Sequence, residues 1–182
     1  MANINITQPV NQKLGFTIIE LLIVVVVIAI LATITIVSYN GIQTKAQNVA
    51  RYQESKSWLK NFELYKVTNG SYPAVANGEY CLGSGFPIGI GGVANCHDWN
   101  YAGGIVTPES TNTALMTELK KVGSLPSTMR TPVDSAIGPY VIYQITNVQI
   151  FNVFREPFDC PPDMIDTWSG GIMQICQFTL LK

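Results

Sequence analysis

The chain has 182 residues, a net charge of −1 and only 13% charged residues, about half the usual share. That length fits one domain plus an anchor, and the near-neutral balance excludes nucleic-acid binding as a bulk electrostatic property. A surface this poor in charge is built from Ser, Thr, Asn and Gly. The charge is also uneven, with five basic and two acidic residues over positions 45–66 and five basic and nine acidic over 69–182. Such asymmetry either orients one copy against the next, within a screening length of about 8 Å, or reflects unrelated solvated faces.

Residues 1–15 are polar and carry Pro9 and a single basic side chain, Lys13. They lack the strongly basic start of a secretory signal, and the apolar run behind them is too long for one. Lys13 and the amino terminus favour a cytoplasmic start, a bias opposed by Lys45 and Arg51 further on. Residues 16–37 then form a 22-residue run whose polar members are Thr17, Glu20, Thr33 and Thr35. At about 1.5 Å per residue, a helix of that length crosses the roughly 30 Å hydrocarbon core of a bilayer. Glu20 is the anomaly. A carboxylate inside such a helix costs on the order of 2.5–3.5 kcal/mol on insertion scales and marks a functional position. Cutting the Gly15–Phe16 bond creates an ammonium four residues before Glu20, and that amine on one copy can pair with Glu20 of a neighbour. An uncut signal anchor is the competing reading.

The run Lys13-Leu14-Gly15-Phe16-Thr17-Ile18-Ile19-Glu20-Leu21-Leu22 resembles the signature of type IV prepilins and type II secretion pseudopilins. That signature is a short polar leader, a Gly–Phe junction, Glu at the fifth position after it, and a long apolar helix. The resemblance covers about the first 55 residues. It implies a leader at 1–15 removed by a prepilin peptidase, N-methylation of Phe16, and assembly through Glu20. It also implies a homopolymer driven by a cytoplasmic ATPase and a platform protein. The precursor would be a single-pass membrane protein with its head outside; the product would be a surface filament. The domains expected are a transmembrane or filament-core helix at 16–38 and a globular head at 39–182. One departure stands out: many family members have a helix-breaking Pro where this chain has Val37. The β-branched run 33–37 and Gly41 lower helix propensity in its place, so this is where the helix is expected to loosen in a filament.

Neither Pro nor Gly interrupts the chain between Gly41 and Gly70, and Ile42, Ala46, Val49, Leu59 and Phe62 recur at helical spacing beside Trp58 and Tyr65. This amphipathic stripe, in the helical part of the head at 39–68, is expected to cover a sheet. Asn69-Gly70 is the helix stop and Tyr72-Pro73 a turn, giving a helix of about 75 Å. Residues 71–104 are rich in Gly (Gly83, Gly85, Gly89, Gly91, Gly92) without phosphate-loop register, and read as a surface loop pinned by a disulfide, with room for short strands. Trp99 and Tyr101 in it suit core packing better than an adhesive patch. Positions 107–123 read as a short helix capped by Thr107 or Ser110, with Leu115 and Leu119 on one face, Lys120-Lys121 in a solvated last turn and Gly123 at the stop. Positions 140–145, 148–154 and 172–181 read as strands, with Asn147 as the turn between the first two. The fold class is α+β, a long helix packed on a small antiparallel sheet.

The four cysteines, Cys81, Cys96, Cys160 and Cys176, all follow the apolar run. An even number in a translocated head favours disulfides. Of three connectivities, the local pairs Cys81–Cys96 and Cys160–Cys176 are preferred, each closing a loop worth roughly 3 kcal/mol in the chain-entropy model. Zinc on Cys81, Cys96, His97 and Asp98 is disfavoured, because no CxxC pair exists and His97 is the single histidine. Asp159, Asp163 and Asp166 invite comparison with the calcium loop of some major pseudopilins, but their spacing is not that of an EF-hand. No cofactor is implied. No G-x-S-x-G context or catalytic grouping survives inspection, so an anchored enzyme or binding domain is the remote alternative; it predicts activity in a form lacking residues 1–43. The favoured reading is a structural pilus subunit, and the alternative is a secretion or competence pseudopilin. The sequence does not separate motility, adhesion, secretion and DNA uptake.

Overall fold

The computed structural model describes residues 15–86, 96, 99–101, 104–106, 113–127, 133, 138–144 and 146–181. His97, Asp98, the caps Thr107 and Ser110, Gly89, Gly91, Gly92, Ile145 and the leader up to Leu14 lie outside them. One α-helix, α1, runs 52 residues from Ile18 to Asn69. It continues through the β-branched run and Gly41 without a break. The chain divides into two compact units, Met1–Gln43 and Thr44–Lys182.

α1 ends where the sequence places its stop. Gly70 has φ +78°, the left-handed conformation that glycine adopts without a steric penalty. Its N–H donates to the Lys66 carbonyl at 2.8 Å, and Asn69 Nδ2 donates to the Tyr65 carbonyl. Tyr72 and Pro73 are then buried, the latter accepting from the Tyr143 hydroxyl.

The head is a five-stranded antiparallel sheet of β1 (Gly78–Cys81), β4 (Tyr140–Tyr143), β5 (Asn147–Arg155), β6 (Ile165–Gly170) and β7 (Met173–Leu181), in the order β1-β4-β5-β7-β6. β2 (Trp99–Tyr101) and β3 (Gly104–Val106) form a separate two-stranded pair, and α2 spans Thr113–Lys120. Three of the five strands answer the sequence expectation; β1 falls in the stretch that left room for short strands without locating one, and β6 was not expected. β1 hides in the Gly-rich stretch, whose register against β4 comes from pairing alone. β6 is an exposed edge with almost no buried side chain, so it carries no alternating apolar signal. Asn147 is the first residue of β5 rather than a turn residue, pairing with Leu181.

The sheet is covered on both faces. One core joins Trp58, Phe62 and Tyr65 of α1 and Leu115 and Leu119 of α2 to Val141, Tyr143, Val148, Ile150, Phe154 and Phe178. The other joins Cys81, Phe86, Cys96 and Val133 to Tyr140, Phe151, Val153, Met173 and Ile175. β5 reads apolar at both parities for this reason.

The expected stripe on α1 holds at Trp58, Phe62 and Tyr65, all buried, and departs from the expectation in its earlier half. Ile42 and Val49 are 66% and 57% exposed, and Ala46 is exposed too. The buried row is instead Asn48, Arg51, Ser55, Trp58, Phe62 and Tyr65, at alternating spacings of three and four. Its first half is polar because β5 presents a polar group there, the fully buried Asn152. Asn152 Nδ2 donates to Ser55 Oγ at 3.0 Å and to the Arg51 carbonyl at 3.1 Å, while its Oδ1 accepts from Arg51 Nη1 at 3.4 Å. Asn48 clamps the end of β5, giving its Nδ2 to the Arg155 carbonyl and taking the Arg155 N–H, at 2.8 and 2.9 Å. Burial lowers the Arg51 pKa, and the nearby Glu54 charge opposes that shift.

Candidate processing and assembly site

Gly15 and Phe16 lie just ahead of α1, and Phe16 is 85% exposed. A Cβ built on Gly15 meets nothing within 4 Å, so the described residues leave the junction open.

The first turn holds Glu20 in a way hydropathy alone did not suggest. Thr17 Oγ1 accepts the Glu20 N–H at 3.3 Å. In return Glu20 Oε2 accepts the Thr17 N–H and the Thr17 hydroxyl, each at 2.8 Å. This reciprocal arrangement is a capping box, and its T-x-x-E spacing was readable in the sequence. Thr17 is thus a functional residue the sequence reading passed over. Glu20 does not wait on a neighbour's amine to be satisfied; donors of its own first turn and the helix dipole already hold it. A cut after Gly15 leaves both Thr17 donors in place, so the cap survives processing.

Every side chain described from residue 16 to 36 is exposed. A helix apolar on all sides is stable only in lipid or among other apolar helices, and α1 is long and apolar enough here to cross a membrane. The run's other hydroxyls are satisfied within the helix: Thr33 Oγ1 donates to the Ile30 carbonyl at 2.7 Å and Thr35 Oγ1 to Ala32 at 2.9 Å. That back-bonding removes the cost of carrying them into hydrocarbon.

The family model for the prokaryotic N-terminal methylation motif matches residues 10–36. The chain carries the type IV prepilin and pseudopilin signature. No curated protein and no solved structure matches the chain. The prepilin motif implies processing by a prepilin peptidase and polymerisation into a pilus, and it agrees with anchoring by α1 before assembly. The prepilin reading also accounts for the α+β layout, a long apolar helix followed by a small antiparallel sheet. Subunits of this family are structural proteins as a rule.

The cysteines lie in the head, away from this motif. Cys81 is bonded to Cys96 and Cys160 to Cys176, with Cα atoms 5.6 and 5.7 Å apart. The first bridge sits inside the second core; the second ties β7 to the loop before β6. Asp159 and Asp163 of that loop and Asp166 of β6 do not converge on one point. Asp163 is 2.8 Å from the Tyr52 hydroxyl and 3.1 Å from Lys56 Nζ, and the described residues contain no group of three or more potential metal ligands.

Proposed function

We propose that this chain is a structural subunit of a type IV pilus or pilus-like filament. Prepilin peptidase cuts between Gly15 and Phe16 and the new amine is methylated. The mature subunit waits in the membrane on α1 and then enters a filament whose core is a bundle of these helices. The observation that carries the reading is an all-round apolar helix bearing one carboxylate at the fifth position after a Gly–Phe junction. Such a helix leaves lipid only when identical helices replace the lipid. Within the bundle, Glu20 faces the Phe16 amine of a neighbour. That ammonium competes with Thr17 for the carboxylate, and a charge-assisted contact is roughly twice as strong as a neutral one.

Intact-mass analysis of surface filaments tests the processing step. The expected mature chain has 167 residues, the 182 of the precursor less 15, and begins with N-methyl-Phe. Filament subunits that retain residues 1–15 would refute it.

A further inference from the structure

We propose that the cleft between α1 and the segment 123–127 receives the C-terminal end of an extended peptide from another protein, its terminal carboxylate on Lys60 and its last amide N–H on Asn61. The site lies wholly within the head and goes beyond the filament reading above. Its volume is about 490 Å³, within the roughly 300–1,000 Å³ of ligand clefts. Ser57, Lys60, Asn61 and Leu64 of α1 form one wall, and the segment 123–127 forms the other.

Asn61 is what marks the cleft as a site. It is 7% exposed, it lines the cleft, and its Oδ1 has no hydrogen-bond partner among the described residues. An amide oxygen only accepts, and a buried one costs stability until an N–H or O–H reaches it. Ser57 gives its proton to the Gln53 carbonyl at 2.8 Å, so its oxygen is a second acceptor. Beside these two, Lys60 stands exposed. No carboxylate lines the cleft among the described residues, so the charge it suits is negative.

A donor next to an anion is the chemistry of a peptide's last residue, where amide nitrogen and carboxylate share one carbon. Leu64, Leu125 and Pro126 add an apolar surface for its side chain. The second wall favours a peptide over a free N-acyl amino acid. Residues 123–127 make no hydrogen bond among the described residues, so their main-chain groups are open to an extended chain laid alongside, as in strand addition. A uronic-acid saccharide offers O–H donors and a carboxylate, but neither a main chain for that segment nor an apolar side chain for the wall.

The test uses the full chain in detergent micelles and hexapeptides varied at their last three positions, made with free and with amidated C-termini. Free-ended peptides with an apolar last residue are expected to bind, and amidation to weaken them at least tenfold. Asn61→Leu removes the waiting acceptor. It should weaken binding at least tenfold while the denaturation midpoint holds or rises, because the orphaned oxygen is gone; an Asn61 that served packing alone would leave binding intact, and that result overturns the proposal. Should this variant fail to fold, Lys60→Gln at an exposed position decides, with at least tenfold weaker binding expected at an unchanged midpoint. Binding of no free-ended peptide, or equal binding of the amidated set, overturns the proposal. So does N-acetyl-leucine or an oligogalacturonate binding as tightly as the best peptide. A second copy filling the cleft, seen as self-association that Lys60→Gln abolishes, overturns it too. None of these readouts needs polymerisation, so the filament reading stands or falls separately.

Discussion

Under the proposed function, Glu20 serves two states. As a cap it closes the first turn of α1 through Thr17, and as the one charge in the apolar run it is available to a neighbour's amine. Glu20→Val removes the insertion penalty of about 2.5–3.5 kcal/mol and costs only the cap. Membrane insertion should therefore stay normal or improve while filaments disappear, measured by fractionation beside electron microscopy. Normal filaments from this variant would reject the pairing role. In the head, Asn152 is the residue to remove. It bridges β5 to the Arg51 carbonyl, Ser55 Oγ and Arg51 Nη1. Asn152→Leu strands buried polar groups and is expected to cost about 2–4 kcal/mol, read as a lower denaturation midpoint at unchanged m-value.

At the scale of elements, α1 is held to the sheet by two kinds of contact. Residues 48–55 meet β5 through polar groups, and residues 58–65 through Trp58, Phe62 and Tyr65. Phe62→Ala should therefore cost about 3–5 kcal/mol, far more than Val49→Ala on the exposed side. A chevron or equilibrium titration of the two variants would separate them. Gly41 lies in the helix with open space around it, since an added Cβ meets nothing within 4 Å. Gly41→Ala should strengthen α1 locally by up to about 1 kcal/mol, slowing amide exchange around residues 37–45. If loosening at this point is required in the filament, the same substitution lowers filament yield. The disulfide loop is fastened to α1 by Asp163. Desolvation pushes the Asp163 pKa up, but hydrogen bonds from Tyr52 and Lys56 outweigh it and lower the value overall. The Lys56 amine, bonded to Tyr52 and Asp163, is shifted upward. The aspartate is depressed, so its contribution is whole above the ordinary carboxylate range and fades as pH falls through the lower folded value. Amide protection factors in the loop should fall and proteolysis rise below about pH 4, with protection flat from pH 5 to 8. A loop that loosens near neutrality would point to another fastening.

Across the whole molecule, the division of labour follows chemistry. The prepilin motif implies a peptidase and polymerisation, and the head is held by its own two cores and two disulfides. Each bridge closes a short loop, worth about 3 kcal/mol by the chain-entropy model. Replacing both Cys160 and Cys176 by Ser should therefore lower head stability by about 2–4 kcal/mol and expose β6 first, because β6 is a bulged edge with a register shift between Asp166 and Trp168. Protease mapping without reductant checks the order of opening.

The sequence by itself determined the prepilin signature, the membrane-length helix, its stop at Gly70 and three of the strands, read at 140–145, 148–154 and 172–181. These are written in local pattern: hydropathy, residue spacing, and β-branched and aromatic runs. It also held the T-x-x-E cap, legible once one looks for it. Only the tertiary structure decided which face of α1 is buried, because Asn48, Arg51 and Ser55 look like a solvated face until Asn152 of a strand about a hundred residues later meets them. The edge strands β1 and β6 and the second core behind the sheet were likewise settled by pairing between distant segments. Local sequence carries the cost of burying a group, and the fold alone supplies the partner that offsets it.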